Sequence, residues 1–144
     1  MTCLDRVGMA DRAGERASRL SGGQQQRVAI ARALCQRADI ILADEPVAAL
    51  DPSATRAVLT LLAELAHDDG LAVIVVLHHP DLALAYADRI IGLRDGRIRI
   101  DAAAASLSGA HLQRLYTADH PPVPAVAVTA RLTDPDDLER TASP

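Results

Sequence analysis

The sequence contains no lysine. All 15 basic residues are arginines, set against 19 acids in 144 residues, for a net charge of −4. That balance excludes a broad basic surface of the kind that binds nucleic-acid backbones. Phenylalanine and tryptophan are also absent and only two tyrosines occur, although 49% of the residues are hydrophobic. A core must therefore come from Ala, Leu, Val and Ile, and the length suits one domain. Two cysteines, Cys3 and Cys35, lie far apart in sequence without metal-ligand spacing and read as reduced thiols. No apolar run reaches the roughly 18–20 residues of a membrane span, and the residues after Met1 do not show a signal-peptide pattern. Any membrane role then needs a partner.

What is present alternates between helix and strand. Leu4 to Val7 reads as a last helical turn, and Gly8 to Arg19 as a polar loop with a short turn of helix. Ser21 fits a helix N-cap, with Gln24 completing a capping box. Behind it, Val28, Ala31 and Cys35 form one apolar row and Ile30, Ala33 and Leu34 another, which predicts a helix embedded on most sides. Ile40 to Ala43 is too short for a buried helix and predicts a central parallel strand. Pro52 behind Asp51 opens a second long helix, carried by Val58, Leu61, Leu62 and Leu65 and ended by Gly70. "LAVIVVLHH" predicts a second buried strand, Pro80 opens a third helix through Tyr86, and "RIIGLRDGRIRID" a hairpin turning at Asp95-Gly96. The class is α/β: a parallel sheet with packed helices and an antiparallel edge hairpin. Residues 117–144 hold five of the eight prolines and five acids, and read as a disordered tail in which Leu132 to Leu138 could dock weakly.

Ligands of parallel sheets bind beyond the carboxyl ends of the strands. The first strand delivers Asp44 and Glu45 to that edge, and the second delivers His78 and His79. Adjacent acids repel unless a cation or proton intervenes; an aspartate holding Mg²⁺ beside a glutamate orienting water resolves the conflict in phosphoryl-transfer sites. Only one of the two histidines can face the site, because side chains alternate along a strand. His79 is expected to cap the next helix or lie at the surface, and His67, His111 and His120 to face solvent without partners.

Ser21-Gly22-Gly23-Gln24, then Ile40 to Glu45, then Ala48 to Asp51, then His78, resemble in order and spacing the ATPase subunits of ABC transporters, a P-loop NTPase fold. The resemblance covers residues 1–116, as a partial ATPase domain corresponding to the C-terminal portion of that fold. It implies ATP and Mg²⁺ as cofactors. Ser21, Gly22, Gly23 and Gln24 would form the signature that binds ATP held by a second ATPase subunit in a head-to-tail dimer. Asp44 would hold Mg²⁺ through water, Glu45 would polarise the attacking water, His78 would contact the γ-phosphate and Asp51 would relay between sites. Permease subunits in the membrane are the further partners implied, with the ATPase peripheral on the cytoplasmic face and no nucleic acid involved. Ala48 departs from the serine that many relatives carry.

The resemblance also demands a glycine-rich loop with a lysine that cradles β- and γ-phosphates. With no lysine in the chain, that loop cannot be hidden in it, and the adenine-stacking aromatic and the glutamine loop are missing too. The expectation is a fragment, a mis-assigned start or a truncated product, inactive by itself. "LHHPDLALAYADRIIGLRDG" and "HLQRLY" resemble phosphonate importers; amino-acid importers and lipoprotein exporters are the alternatives. Two further readings are a non-transport ABC ATPase, which a coiled coil or basic face would mark, and an inert fragment that binds a partner subunit.

Overall fold

The computed structural model describes the backbone of residues 2–116 and 125–129, with side chains through Leu112. Helix α1 (Cys3–Arg6) is a single turn, capped by Thr2 in a capping box with Asp5. The segment that follows forms two 3-10 turns, Ala10–Arg12 and Ala17–Arg19. Helix α2 (Gly22–Cys35) starts at the predicted cap: Ser21 accepts from the Gln24 amide, and the Gln24 side chain accepts from the Ser21 amide at 2.9 Å. Strand β1 (Ile40–Asp44) leads to helix α3 (Pro52–His67), whose N-cap is Asp51. Strand β2 (Ala72–Leu77), helix α4 (Pro80–Tyr86) and the hairpin of β3 (Arg89–Arg94) and β4 (Arg97–Ala103) follow. Asp95 and Gly96 both have positive φ, 52° and 69°, which gives the tight turn the twist that hairpins need. Helix α5 (Gly109–Tyr116) precedes the last described strand, β5 (Ala125–Thr129).

One five-stranded sheet runs in the order β1-β2-β5-β3-β4. β1 and β2 are parallel, β5 is antiparallel to both β2 and β3, and the β3–β4 hairpin forms the predicted antiparallel edge. α3 covers the sheet with Val58, Leu62 and Leu65, all at most 1% exposed, in one core with Val73, Ile90 and Leu112.

Three expectations change. The tail is not without structure throughout: Ala125–Thr129 joins β2 to β3 inside the sheet, where a short Ala/Val run can satisfy both strand edges. The weak docking expected for Leu132 to Leu138 lies outside the described residues. β1 is an edge strand rather than a central one, so only Ile41 is buried while Ile40 and Leu42 remain 56% and 74% exposed. α2 is embedded along a narrower strip, with Ile30 and Ala31 buried and Cys35 exposed. Packing of α1 on α2 also brings the two thiols together: a hydrogen bond with Cys3 pushes the Cys35 thiol above its usual range.

Candidate functional site

β1 stays paired to β2 through its own last residue, Asp44 opposite Val76, and the Glu45 amide adds one more bond to the Val76 carbonyl at 3.2 Å. The chain then turns sharply. Glu45 adopts φ 46°, a left-handed conformation that a non-glycine residue takes at a cost of about 1–2 kcal/mol. The side chains of Glu45 and His78 meet across the two strand ends, His78 Nε2 lying 2.5 Å from Glu45 Oε1. Both remain partly open to water, at 43% and 38% exposure. A carboxylate and an imidazole that share a hydrogen bond at a wet strand edge can accept a proton from water and pass charge between them.

Asp44 lies beside this pair, and its carboxylate has no hydrogen-bond or ion-pair partner among the described residues. No group of three or more metal-ligating side chains occurs among those residues. A single free carboxylate suits Mg²⁺, which keeps several waters and takes most of its other ligands from phosphate oxygens. His79 occupies the N-cap position of α4, accepting from the Leu82 amide through its carbonyl while its ring makes no capping bond. The strand register thus sends His78, not His79, to Glu45.

The glycine-rich run forms a separate group. No hydrogen bond or ion pair among the described residues joins Ser21, Gly22, Gly23 or Gln24 to Asp44, Glu45 or His78. Ser21 Oγ accepts from the Gln24 amide at 3.4 Å, which leaves its own O–H free to donate. The glycines serve packing as well as access. A Cβ on Gly22 would sit 3.0 Å from Leu50 Cδ2, and one on Gly23 2.9 Å from Ala54 Cβ. Asp51 fixes Ala54 in turn, its Oδ1 accepting from the Ser53 and Ala54 amides at 2.8 and 3.0 Å. Those bonds hold the Asp51 carboxyl below its usual range. Asp51 therefore spends one oxygen on the α3 cap. Gly23→Ala is expected to cost about 1–3 kcal/mol through overpacking against α3, despite alanine's better helix propensity; an unchanged denaturant midpoint would contradict the contact.

Two histidines read as partnerless have partners. His67 Nε2 lies 3.0 Å from Asp88, and His111 Nδ1 accepts from the Ser108 amide at 3.1 Å; both remain at the surface, and His120 lies outside the described residues. The mutual contact of Glu45 and His78 was not foreseen. The signal for it was available, since both residues follow the last residue of adjacent parallel strands.

The family model described as ABC transporter matches residues 1–48. The phosphonates import ATP-binding protein PhnC of Stutzerimonas stutzeri is 56% identical over 119 residues, covering 83% of this chain and 43% of PhnC. The chain belongs to the ABC transporter ATPase family. The phosphite import ATP-binding protein PxtA of Stutzerimonas stutzeri is 51% identical over 127 residues, 88% of this chain and 46% of PxtA. Among solved structures, a dimeric ATP-binding cassette bound to ADP and Pi in a post-hydrolysis state is 42% identical, with a TM-score of 0.60 over 73% of this chain and 45% of that one. The cbiO1 subunit from Clostridium perfringens, part of the ABC transporter complex cbiONQ, aligns with a TM-score of 0.67 at 30% identity, over 71% of this chain and 41% of cbiO1. The chain shares the ABC ATPase fold. It spans less than half the length of the curated relatives it matches. No helix among the described residues is long and apolar enough to cross a membrane.

Proposed function

We propose that this chain supplies the water-activating and signature portions of an ATP-hydrolysing subunit that powers transmembrane import, with phosphonates as the substrate class. The Glu45–His78 contact at the carboxyl edge of a parallel sheet carries the reading. Glu45 acts as the general base for the attacking water. His78 steadies that carboxylate and would turn toward the γ-phosphate when ATP is bound. Asp44 would hold Mg²⁺ through water, and the ion would supply charge neutralisation for the phosphate. The separation of Ser21 and the adjoining glycines from this pair supports their use on nucleotide held by a second subunit, with helix α2 offering its N-terminal amides and partial positive charge. Permease subunits are the partners that would convert the dimer's closure into transport, and they would hold the ATPase at the cytoplasmic face. Identity to PhnC and PxtA supports the phosphonate class over amino-acid or lipoprotein substrates.

A lysine-bearing phosphate loop must come from outside these 144 residues. The purified chain with Mg²⁺ and ATP is therefore expected to release phosphate no faster than a protein-free control. A chimera in which the chain replaces the matching part of Stutzerimonas stutzeri PhnC is expected to hydrolyse ATP. Turnover by the chain alone that disappears in Glu45→Gln would overturn the need for that loop, and an inactive but folded, ATP-binding chimera would favour an inert partner-binding role.

A further inference from the structure

Away from the ATP-related residues, a cavity of about 450 Å³ opens where α1, α2 and α3 meet. Arg6, Arg27 and Arg56 line it, and Glu64 is the one acid among its lining residues. Glu64 is already committed to Arg6, at 3.6 Å, and Arg6 is held further by Asp69 at 2.8 Å. Arg27 is different. Its Nε is buried with no hydrogen-bond partner, and no acid among the described residues pairs with its guanidinium. The turn at Gly8 lies over it, a Cβ there falling 3.7 Å from Arg27 Nη1. Arg56 makes no hydrogen bond or ion pair among the described residues, although its charge reaches Asp51. A guanidinium nitrogen buried without a hydrogen-bond partner is costly, and a second unpaired guanidinium beside the same cavity adds to the positive field.

We propose that this cavity binds a small tetrahedral dianion of the phosphate type, held by Arg27 and Arg56. The guanidinium fork suits such an oxyanion, since two parallel N–H groups can donate to two oxygens. Bound there, the anion ties α2 to α3 through Arg27 and Arg56. The site needs no nucleotide, so it is separable from the hydrolytic reading.

The test is thermal unfolding of the 144-residue chain during titration with inorganic phosphate or methylphosphonate up to about 10 mM, at ionic strength held constant with sodium chloride. A saturable rise in midpoint is expected with phosphate. Arg56→Gln, at an exposed position, is expected to weaken the half-saturating concentration at least fivefold, and Arg27→Gln more. Methylphosphonate separates the two sources of this chemistry: saturation at a similar concentration means that three phosphorus oxygens suffice, and its failure restricts the site to phosphate itself. Phosphorus-31 line broadening at the same concentrations gives a second reading that does not depend on stability. A shift that never saturates, or one unchanged in Arg56→Gln, overturns the proposal.

Discussion

Glu45→Gln in the PhnC chimera is expected to lower ATP turnover by about 10²–10⁴-fold, because the attacking water loses its general base. Glutamine keeps the size and the hydrogen-bonding reach of the side chain, so nucleotide binding should persist and an ATP-bound dimer should accumulate. His78→Ala removes the partner that holds Glu45 at 2.5 Å and should cause a loss of similar kind. His79→Ala, at a position whose ring makes no capping bond, should leave turnover within about twofold, since surface changes of this type have small effects. Steady-state phosphate release and trapped nucleotide after rapid gel filtration measure both effects. A damaging His79 change with a silent His78 change would contradict the strand register.

The second large effect concerns β5. β2 and β3 do not pair with each other; Ala125–Thr129 lies between them, with five residue pairs on the β2 side and four on the β3 side. Removing residues 117–144 would divide the sheet into β1–β2 and β3–β4 and bare two inner edges. Each lost backbone hydrogen bond is worth about 0.5–1.5 kcal/mol net, and a domain has only about 5–15 kcal/mol in total. Several lost together consume much of that margin, and the open edges invite association between chains. The truncated chain is expected to aggregate or to lose its cooperative unfolding transition. Val126→Pro with Val128→Pro, which deletes two strand donors at full length, should act in the same direction. Rapid amide exchange at Val73, Val75 and Ile91 in the unaltered chain would show that the slot is not filled by β5.

Much of the frame was legible because it is local. Ser21 with Gln24, Asp51 with Pro52, and Asp95-Gly96 each satisfy their own backbone within a few residues, and all three stand where the sequence places them. The continuous run Ala72–Leu77 likewise marks a buried strand through its β-branched residues. Non-local features were not legible. β5 sits in a segment whose prolines and acids dominate its composition, and only the open edges of β2 and β3 make a strand of it. The edge position of β1 depends on what packs beside it, which an apolar run cannot reveal.

For the candidate site, chain positions could be read but contacts could not. Glu45 and His78 are 33 residues apart and meet because two parallel strands end together. The packing of Gly23 on Ala54 was equally hidden, and it changes which variant can probe the glycine-rich run. A bulky residue at Gly23 would disturb α3 as well as any phosphate contact. Ser21 is the better position, being exposed and already the N-cap. Aspartate there preserves the cap and sets a negative charge where a γ-phosphate would approach.

The most direct test of the account asks whether the run from Ser21 to Gln24 acts on nucleotide held by the opposite subunit. Mixed dimers of the PhnC chimera would combine two lesions, Ser21→Asp and loss of the phosphate-loop lysine, in two arrangements. Acting across the interface, lesions split between the subunits fall in the same composite site and leave the other intact. Lesions placed together in one subunit then disable both sites. The expected result is substantial ATP hydrolysis, up to about half, from the split arrangement and almost none from the combined one. The reverse order would show that the glycine-rich run serves its own chain's nucleotide, and would contradict the head-to-tail reading.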